Sequence, residues 1–79
     1  MENGLFHRVQ KALIGVLGEQ ARHKITPKAT MESVEEWDSL LFVQVMLAIE
    51  REFSIKISAD DAIELTSVQG ILKLIGDNT

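Results

Sequence analysis

Ser39 lies in the string Trp37-Asp38-Ser39-Leu40, immediately ahead of a long apolar run. A hydroxyl at such a junction has two uses. It can cap a helix, or it can carry a group. Free backbone N–H groups and the helix dipole make a helix start an anion site, so a phosphodiester joined to Ser39 Oγ would sit in a favourable field. A loop boundary also leaves the hydroxyl open to a modifying enzyme, and Leu40 at the same mouth could pack against an incoming partner. Asp38 is itself a good cap. Its carboxylate can accept an orphan N–H, and its charge suits the positive end of the dipole.

Other chemistry is scarce. The chain has no cysteine, which excludes disulfides, thiolate catalysis and cysteine metal sites. Any thioester chemistry needs a thiol brought from outside. His7 and His23 have no carboxylate cluster at a metal-ligand spacing and are read as surface or partly buried structural residues, so no metal site is assigned. No Ser–His–acid set is suggested, and no glycine-rich phosphate loop of P-loop spacing is present, so no catalytic residue is assigned. Asp60-Asp61 reads as helix N-terminal charge rather than as an acid–base pair.

The chain is 79 residues long, enough for a single domain over 1–79 with a small core and no deep substrate cavity. The net charge of −4 is unevenly spread. Residues 1–31 set Arg8, Lys11, Arg22, Lys24 and Lys28 against Glu2 and Glu19, whereas residues 32–64 hold nine acids against Arg51 and Lys56. An acidic middle disfavours nucleic acid and suits a partner with a basic patch. The commoner meaning of such a block is a solvated surface. No apolar run reaches the length of a membrane span, and MENGLFHRVQKALIGVLGEQ lacks the residue order of a signal peptide. The expectation is a cytoplasmic, monomeric protein.

The elements that must position Ser39 follow from periodicity. Leu5, Phe6, Val9, Leu13, Val16 and Leu17 recur at helical spacing, with Asn3 as a candidate cap and Gly18 as a stop. Residues 19–38 show no clean period and read as loop. Helix connections in bundles usually run about 2–8 residues, and long ordered loops tend to be functional. Ile25, Met31 and Val34 are candidates for pinning it to the core. A second helix is expected from Asp38-Ser39 through Phe53. Between Leu40 and Ile49 only Gln44 is polar. At about 100° per residue, Phe42, Val45, Met46, Ile49 and Phe53 share one arc, assigned to the core. Leu40, Val43 and Leu47 form another, which must either be covered by the loop or be offered to a partner. Ser54 breaks the pattern and Ile55-Lys56-Ile57 looks extended. Ser58–Asp61 resembles a capping box opening a short helix through Leu65, and Thr66–Gln69 a second box opening a last helix on Val68, Ile71, Leu72 and Ile75, ended by Gly76. The fold class is all-α: three main helices and one short one in a four-helix bundle, with a long loop after the first.

Taken together, Trp37-Asp38-Ser39-Leu40, the apolar helix and Glu50-Arg-Glu-Phe53-Ser-Ile-Lys-Ile57 resemble the acyl carrier protein family over almost the whole chain. The resemblance implies an acyl-carrier-like bundle that performs no chemistry itself. It implies a 4′-phosphopantetheine arm on Ser39, transferred from coenzyme A by a phosphopantetheinyl transferase that uses magnesium, with Asp38 near that enzyme's metal. The arm's thiol would carry acyl or aminoacyl groups, loaded by a ligase or transferase and passed to a downstream synthase. Leu40, Val43 and Leu47 match apolar contact positions on the partner-facing helix.

Three departures from the family pattern carry information. Glu36 stands where glycine is common, Trp37 where a small residue is usual, and Leu41 and Gln44 replace acids typical of fatty-acid-synthesis members. Partner contact at Leu41 and Gln44 would then be more apolar, with steering left to Glu32, Glu35, Glu36, Asp60, Asp61 and Glu64. This favours a dedicated carrier in a specialised lipid, polyketide or surface-polymer pathway. The competing readings are an unmodified helical interaction module, in which Ser39 is only near a cap, and a small enzyme, which the absence of a catalytic set disfavours.

Overall fold

The computed structural model describes residues 2–77, with side chains from residue 4 onward. Helix α1 runs Glu2–Leu17, α2 runs Ser39–Phe53 and α3 runs Val68–Asp77. Two 3-10 helices, Glu19–Lys24 and Asp61–Thr66, fill parts of the connections. The all-α class, three main helices with a long connection after the first, is as expected.

Helix α1 buries Val9, Leu13, Ile14 and Leu17, a stripe at helical spacing. It begins three residues earlier than its apolar pattern, and the capping side chain proposed for Asn3 lies outside the described residues. Gly18 ends it with φ 101°, a backbone conformation that glycine adopts without strain. Its amide reaches back to the Ile14 carbonyl at 2.8 Å.

The stretch expected to be plain loop contains the first 3-10 helix. Ala21 and Ile25 turn inward, and Arg22 holds Glu19 one 3-10 turn back through two hydrogen bonds at 3.0 and 2.9 Å. The rest of the connection is packed rather than draped. Ile25, Ala29, Val34 and Trp37 are buried, while Met31 is half-buried. Polar ties supplement this packing. Gln10 Nε2 donates to the Ile25 carbonyl at 2.9 Å. Met31 N–H donates to Thr66 O at 2.9 Å, and Val68 N–H donates to Ala29 O at 3.0 Å. These two bonds flank a single antiparallel bridge between Thr30 and Ser67, so the middle of the long connection is clipped to the start of α3.

Helices α1 and α2 form the largest helix–helix contact. Arg8 fixes their ends antiparallel. It donates to the Glu52 carboxylate at 3.0 Å and to the Glu52 carbonyl at 2.9 Å, and its guanidinium lies 4.4 Å from the centre of the Phe53 ring. Ser54 closes α2 in the left-handed conformation, φ 54°, and Glu50 Oε2 accepts the Ile57 N–H at 2.7 Å, anchoring the non-helical 55–58 segment.

The late elements differ from the sequence reading in detail. The short helix is 3-10 and spans Asp61–Thr66. Only half of its expected box forms, with Ser58 Oγ accepting Asp61 N–H at 3.2 Å. The cap of α3 is Ser67 rather than Thr66. Ser67 Oγ accepts Gly70 N–H at 2.9 Å, while Thr66 still belongs to the 3-10 helix and its hydroxyl donates back to Ile63 O. Helix α3 passes through Gly76 to Asp77, and it buries Leu74 along with Val68, Ile71 and Ile75.

Gly70 sits where α3 meets that 3-10 helix, and a Cβ there would press into the Glu64 carbonyl, whereas a Cβ at Gly15 meets nothing within 4 Å. Gly70→Ala is therefore expected to cost at least about 1–3 kcal/mol. In a domain of this size the melting temperature falls about 4–8 °C for each of these. Gly15→Ala should instead stabilise by about 0.5–1 kcal/mol, because alanine is the better helix former. Thermal unfolding by circular dichroism checks both signs, and an unchanged melting temperature in Gly70→Ala would contradict the packing described.

Candidate functional site

The site is the mouth of α2. Asp38 is extended (φ −104°, ψ −179°), and its Oδ1 accepts the Leu41 N–H at 2.9 Å. Its carbonyl accepts the Phe42 N–H at 2.9 Å, the first bond of the helical ladder. The cap expected from sequence is thus formed by Asp38, not by Ser39. Ser39 is exposed, and its hydroxyl makes no hydrogen bond among the described residues. The Ser39 and Leu40 amides, first in the helix, likewise have no acceptor among those residues.

Two restraints hold this mouth from behind. Trp37 is in the core at 1% exposure, its amide bonded to Val34 O at 3.0 Å. Lys24 Nζ lies 3.2 Å from Glu36 Oε1, joining the first 3-10 helix to the residue pair before the cap. Hydrogen bonding to its own backbone amide, then to Lys24, lowers the Glu36 carboxyl below its ordinary 4.5. Glu36 was expected to steer partners. Its side chain is only 21% exposed and is already paired, so its charge is largely spent within the protein.

The apolar stripe is uncovered. Leu40 is 76% exposed, and Val43 and Leu47 are each 49% exposed, so the loop does not cover them. Gln44 is exposed beside them, whereas Leu41, also read as a partner contact, is half-buried and packed against the core. The arc opposite meets the core as expected, with Val45 and Ile49 fully buried. Asp60 is exposed and Asp61 half-exposed, and neither forms an ion pair among the described residues.

One exposed apolar residue was missed. Ile63, 73% exposed, lies on the 3-10 helix that packs against α2. A three-residue period places Ala62 and Leu65 inward and Ile63 outward, a signal present in the sequence but hidden by reading an α-helix there. A cleft of about 370 Å³ lined by Val16, Gln44, Leu47, Ala48 and Arg51 borders the stripe. The larger cleft, about 460 Å³, is lined from α1 and the first 3-10 helix by residues including His7, Lys11 and Arg22, and touches none of the mouth residues. The exposed hydroxyl, not cavity size, marks this site.

Over residues 7–75 the sequence matches the family described as phosphopantetheine attachment site. The chain belongs to the acyl carrier protein family. It is 33% identical over 70 residues to an acyl carrier protein of Buchnera aphidicola, covering 85% of this chain and 90% of that one. It is 46% identical over 55 residues to a protein of Schizosaccharomyces pombe named as a mitochondrial acyl carrier protein, covering 70% of this chain but about half, 49%, of that one. It is 44% identical over 41 residues to a non-reducing polyketide synthase of Emericella nidulans, covering 52% of this chain and 2% of the synthase. The family is one of non-catalytic carriers that bear phosphopantetheine. The mouth of α2 fits such a group in this carrier domain: it offers an accessible, unbonded hydroxyl, two free amides that suit a phosphodiester, and apolar surface alongside.

Asp38→Ala should cost about 1 kcal/mol of stability through loss of the cap, and Asp38→Asn distinctly less, measured by urea unfolding. For Glu36 the sign follows from its lowered carboxyl. Its stabilising contribution is complete above the ordinary glutamate value of 4.5 and is lost as pH falls through the lower folded value. Glu36→Gln should flatten the acid limb of the stability curve below about pH 4.5. Glu19, lowered chiefly by its hydrogen bond to Arg22, leaves a residual slope of the same sign. An acid limb identical to wild type would show that the lowered Glu36 carboxyl contributes nothing to acid stability.

Proposed function

We propose that Ser39 is the attachment point of the phosphopantetheine arm, and that residues 1–79 act as one monomeric acyl-carrier-type domain. The observation that carries this reading is the exposed, unbonded Ser39 hydroxyl at the start of a helix whose cap is supplied by its neighbour. A serine needed for capping would have its oxygen committed to an amide, and here Asp38 does that work, so substitution of the hydroxyl by an ester leaves the helix start intact. The amides of Ser39 and Leu40 hold the phosphodiester, and the dipole of α2 favours its charge. Once attached, the arm supplies a thiol that this cysteine-free chain lacks, able to hold an acyl or aminoacyl group as a thioester.

The proposed partners are a phosphopantetheinyl transferase, a loading ligase or transferase, and a downstream synthase. Leu40, Val43, Leu47 and Ile63 form their apolar contact, with Gln44 beside it. Exposed Asp60 and half-exposed Asp61 attract basic groups on the partner, an effect on encounter rate more than on affinity. Leu41 and Gln44, where acids would strengthen steering, support service in a specialised lipid, polyketide or surface-polymer pathway.

Incubation with a broad-specificity phosphopantetheinyl transferase, coenzyme A and magnesium should add one phosphopantetheine mass to the wild-type chain and none to Ser39→Ala, read by intact mass spectrometry. An unmodified wild-type mass, or modification of Ser39→Ala, overturns the assignment. Leu47→Glu should slow use by a partner enzyme at least severalfold while leaving the melting temperature nearly unchanged, because half-exposed surface positions contribute little to stability. Equal loss of both would place Leu47 in the core.

A further inference from the structure

Among the described residues, one buried side-chain nitrogen or oxygen has no hydrogen-bond partner: Nε1 of Trp37. The residue is 1% exposed and lies two positions before Ser39. An indole N–H is a donor only, so it is either satisfied by one acceptor or not satisfied at all. Buried donors are overwhelmingly paired in folded proteins, and an exception requires a cause. Packing alone does not supply one, since phenylalanine would fill most of the same volume with no polar atom to bury. Several neighbouring groups are committed. The Trp37 amide is bonded to Val34 O, the Asp38 amide to Glu36 O at 3.2 Å, the Glu36 carboxylate to Lys24 and the Asp38 carboxylate to Leu41 N–H. Beside the open amides of Ser39 and Leu40 and the exposed Ser39 hydroxyl, the one buried side-chain donor left without a partner among the described residues thus belongs to Trp37, two positions before Ser39.

We infer that the missing acceptor is a carbonyl oxygen delivered from Ser39, an amide carbonyl of the arm or the thioester carbonyl of its cargo. Trp37 is then a positioning residue that holds the loaded arm against the bundle at the mouth of α2. This rests on the reading that Ser39 bears the arm. The ring is carried on the turn closed by the Trp37 N–H to Val34 O bond, not within a helix, and holding such a carbonyl requires that turn to shift enough to uncover the N–H while the Asp38 cap and α2 stay in place. The chemistry required is a neutral carbonyl acceptor. A charged group would be drawn instead to the open helix amides.

Trp37 is the only tryptophan in the chain, so its indole is a self-reporting probe. The test compares the indole N–H resonance of ¹⁵N-labelled protein in three forms verified by mass: unmodified, phosphopantetheinylated, and phosphopantetheinylated with an acetyl thioester. Modification should move the indole proton downfield and slow its exchange with solvent about five- to tenfold, the protection of roughly one net hydrogen bond. A change already present before acetylation assigns the acceptor to an arm amide, and a change only after it assigns the cargo carbonyl. Trp37→Phe keeps a core ring and removes only the donor. In that variant, still folded by amide dispersion, the arm's own resonances should revert toward those of free phosphopantetheine. An indole unmoved in both modified forms, with mass confirming that Ser39 is loaded, overturns this inference alone. Failure of Ser39 to load overturns it together with the attachment reading.

Discussion

Trp37 and Asp38 are adjacent in the chain and opposite in environment. The indole lies in the core, while the carboxylate stays at the surface and accepts the Leu41 amide. Each constrains the other. A buried ring of that size contributes several kcal/mol of stability, of order 3–5 by comparison with truncation at core aromatic sites, so it fixes where the connection touches the bundle. With the ring fixed, the next residue must point outward and the helix must begin just after it. The hydroxyl of Ser39 is thereby placed at the first turn of α2, outside the core and outside the capping hydrogen bond. Little else in the protein needs to be exact for that hydroxyl to be presented.

The long connection serves this placement. It is held by buried Ile25, Ala29 and Val34, by the Lys24–Glu36 pair on one side and by the bonds to Thr66 and Val68 on the other. The exposed ion pair of Glu19 and Arg22 adds little, as exposed pairs do. The burial is what orders the segment, because each ordered residue gives up backbone entropy that only packing or satisfied hydrogen bonds can offset. Gly70 belongs to the same arrangement: α3 approaches the preceding 3-10 helix so closely that no side chain fits between them, and that junction is where the connection is clipped.

A domain this small cannot cover every apolar face it makes. Helix α2 has two, and the core accepts one. The other remains in water as Leu40, Val43 and Leu47, joined by Ile63 from the second 3-10 helix. Such a surface is a liability in isolation and an asset for a protein that docks briefly against several enzymes. The acids nearby, exposed Asp60 among them, border it with solvated charge. What the mouth of α2 presents is a hydroxyl and an apolar surface.

The residues alone established a good deal. The Asp38 cap, the start of α2 at Ser39, the division of α2 into buried and exposed arcs, and the stop at Gly18 were all legible, because each follows from interactions within about one helical turn, and those are encoded in local spacing. Tertiary structure decided the rest. Trp37 became a core residue and Glu36 an inward-tied one because both lie in a stretch with no period, where only the shape of the bundle says which side chains face in. Leu41 packs half-buried against the core because it sits between the two arcs, where spacing gives no preference and contact does. Ser67 replaced Thr66 as the cap of α3 because the preceding 3-10 helix, held against α2 and α3, retains Thr66 as its last residue. Ile63 faces outward for the same reason: the choice between a 3-10 and an α turn there is made by packing, and that choice sets which residues share a face.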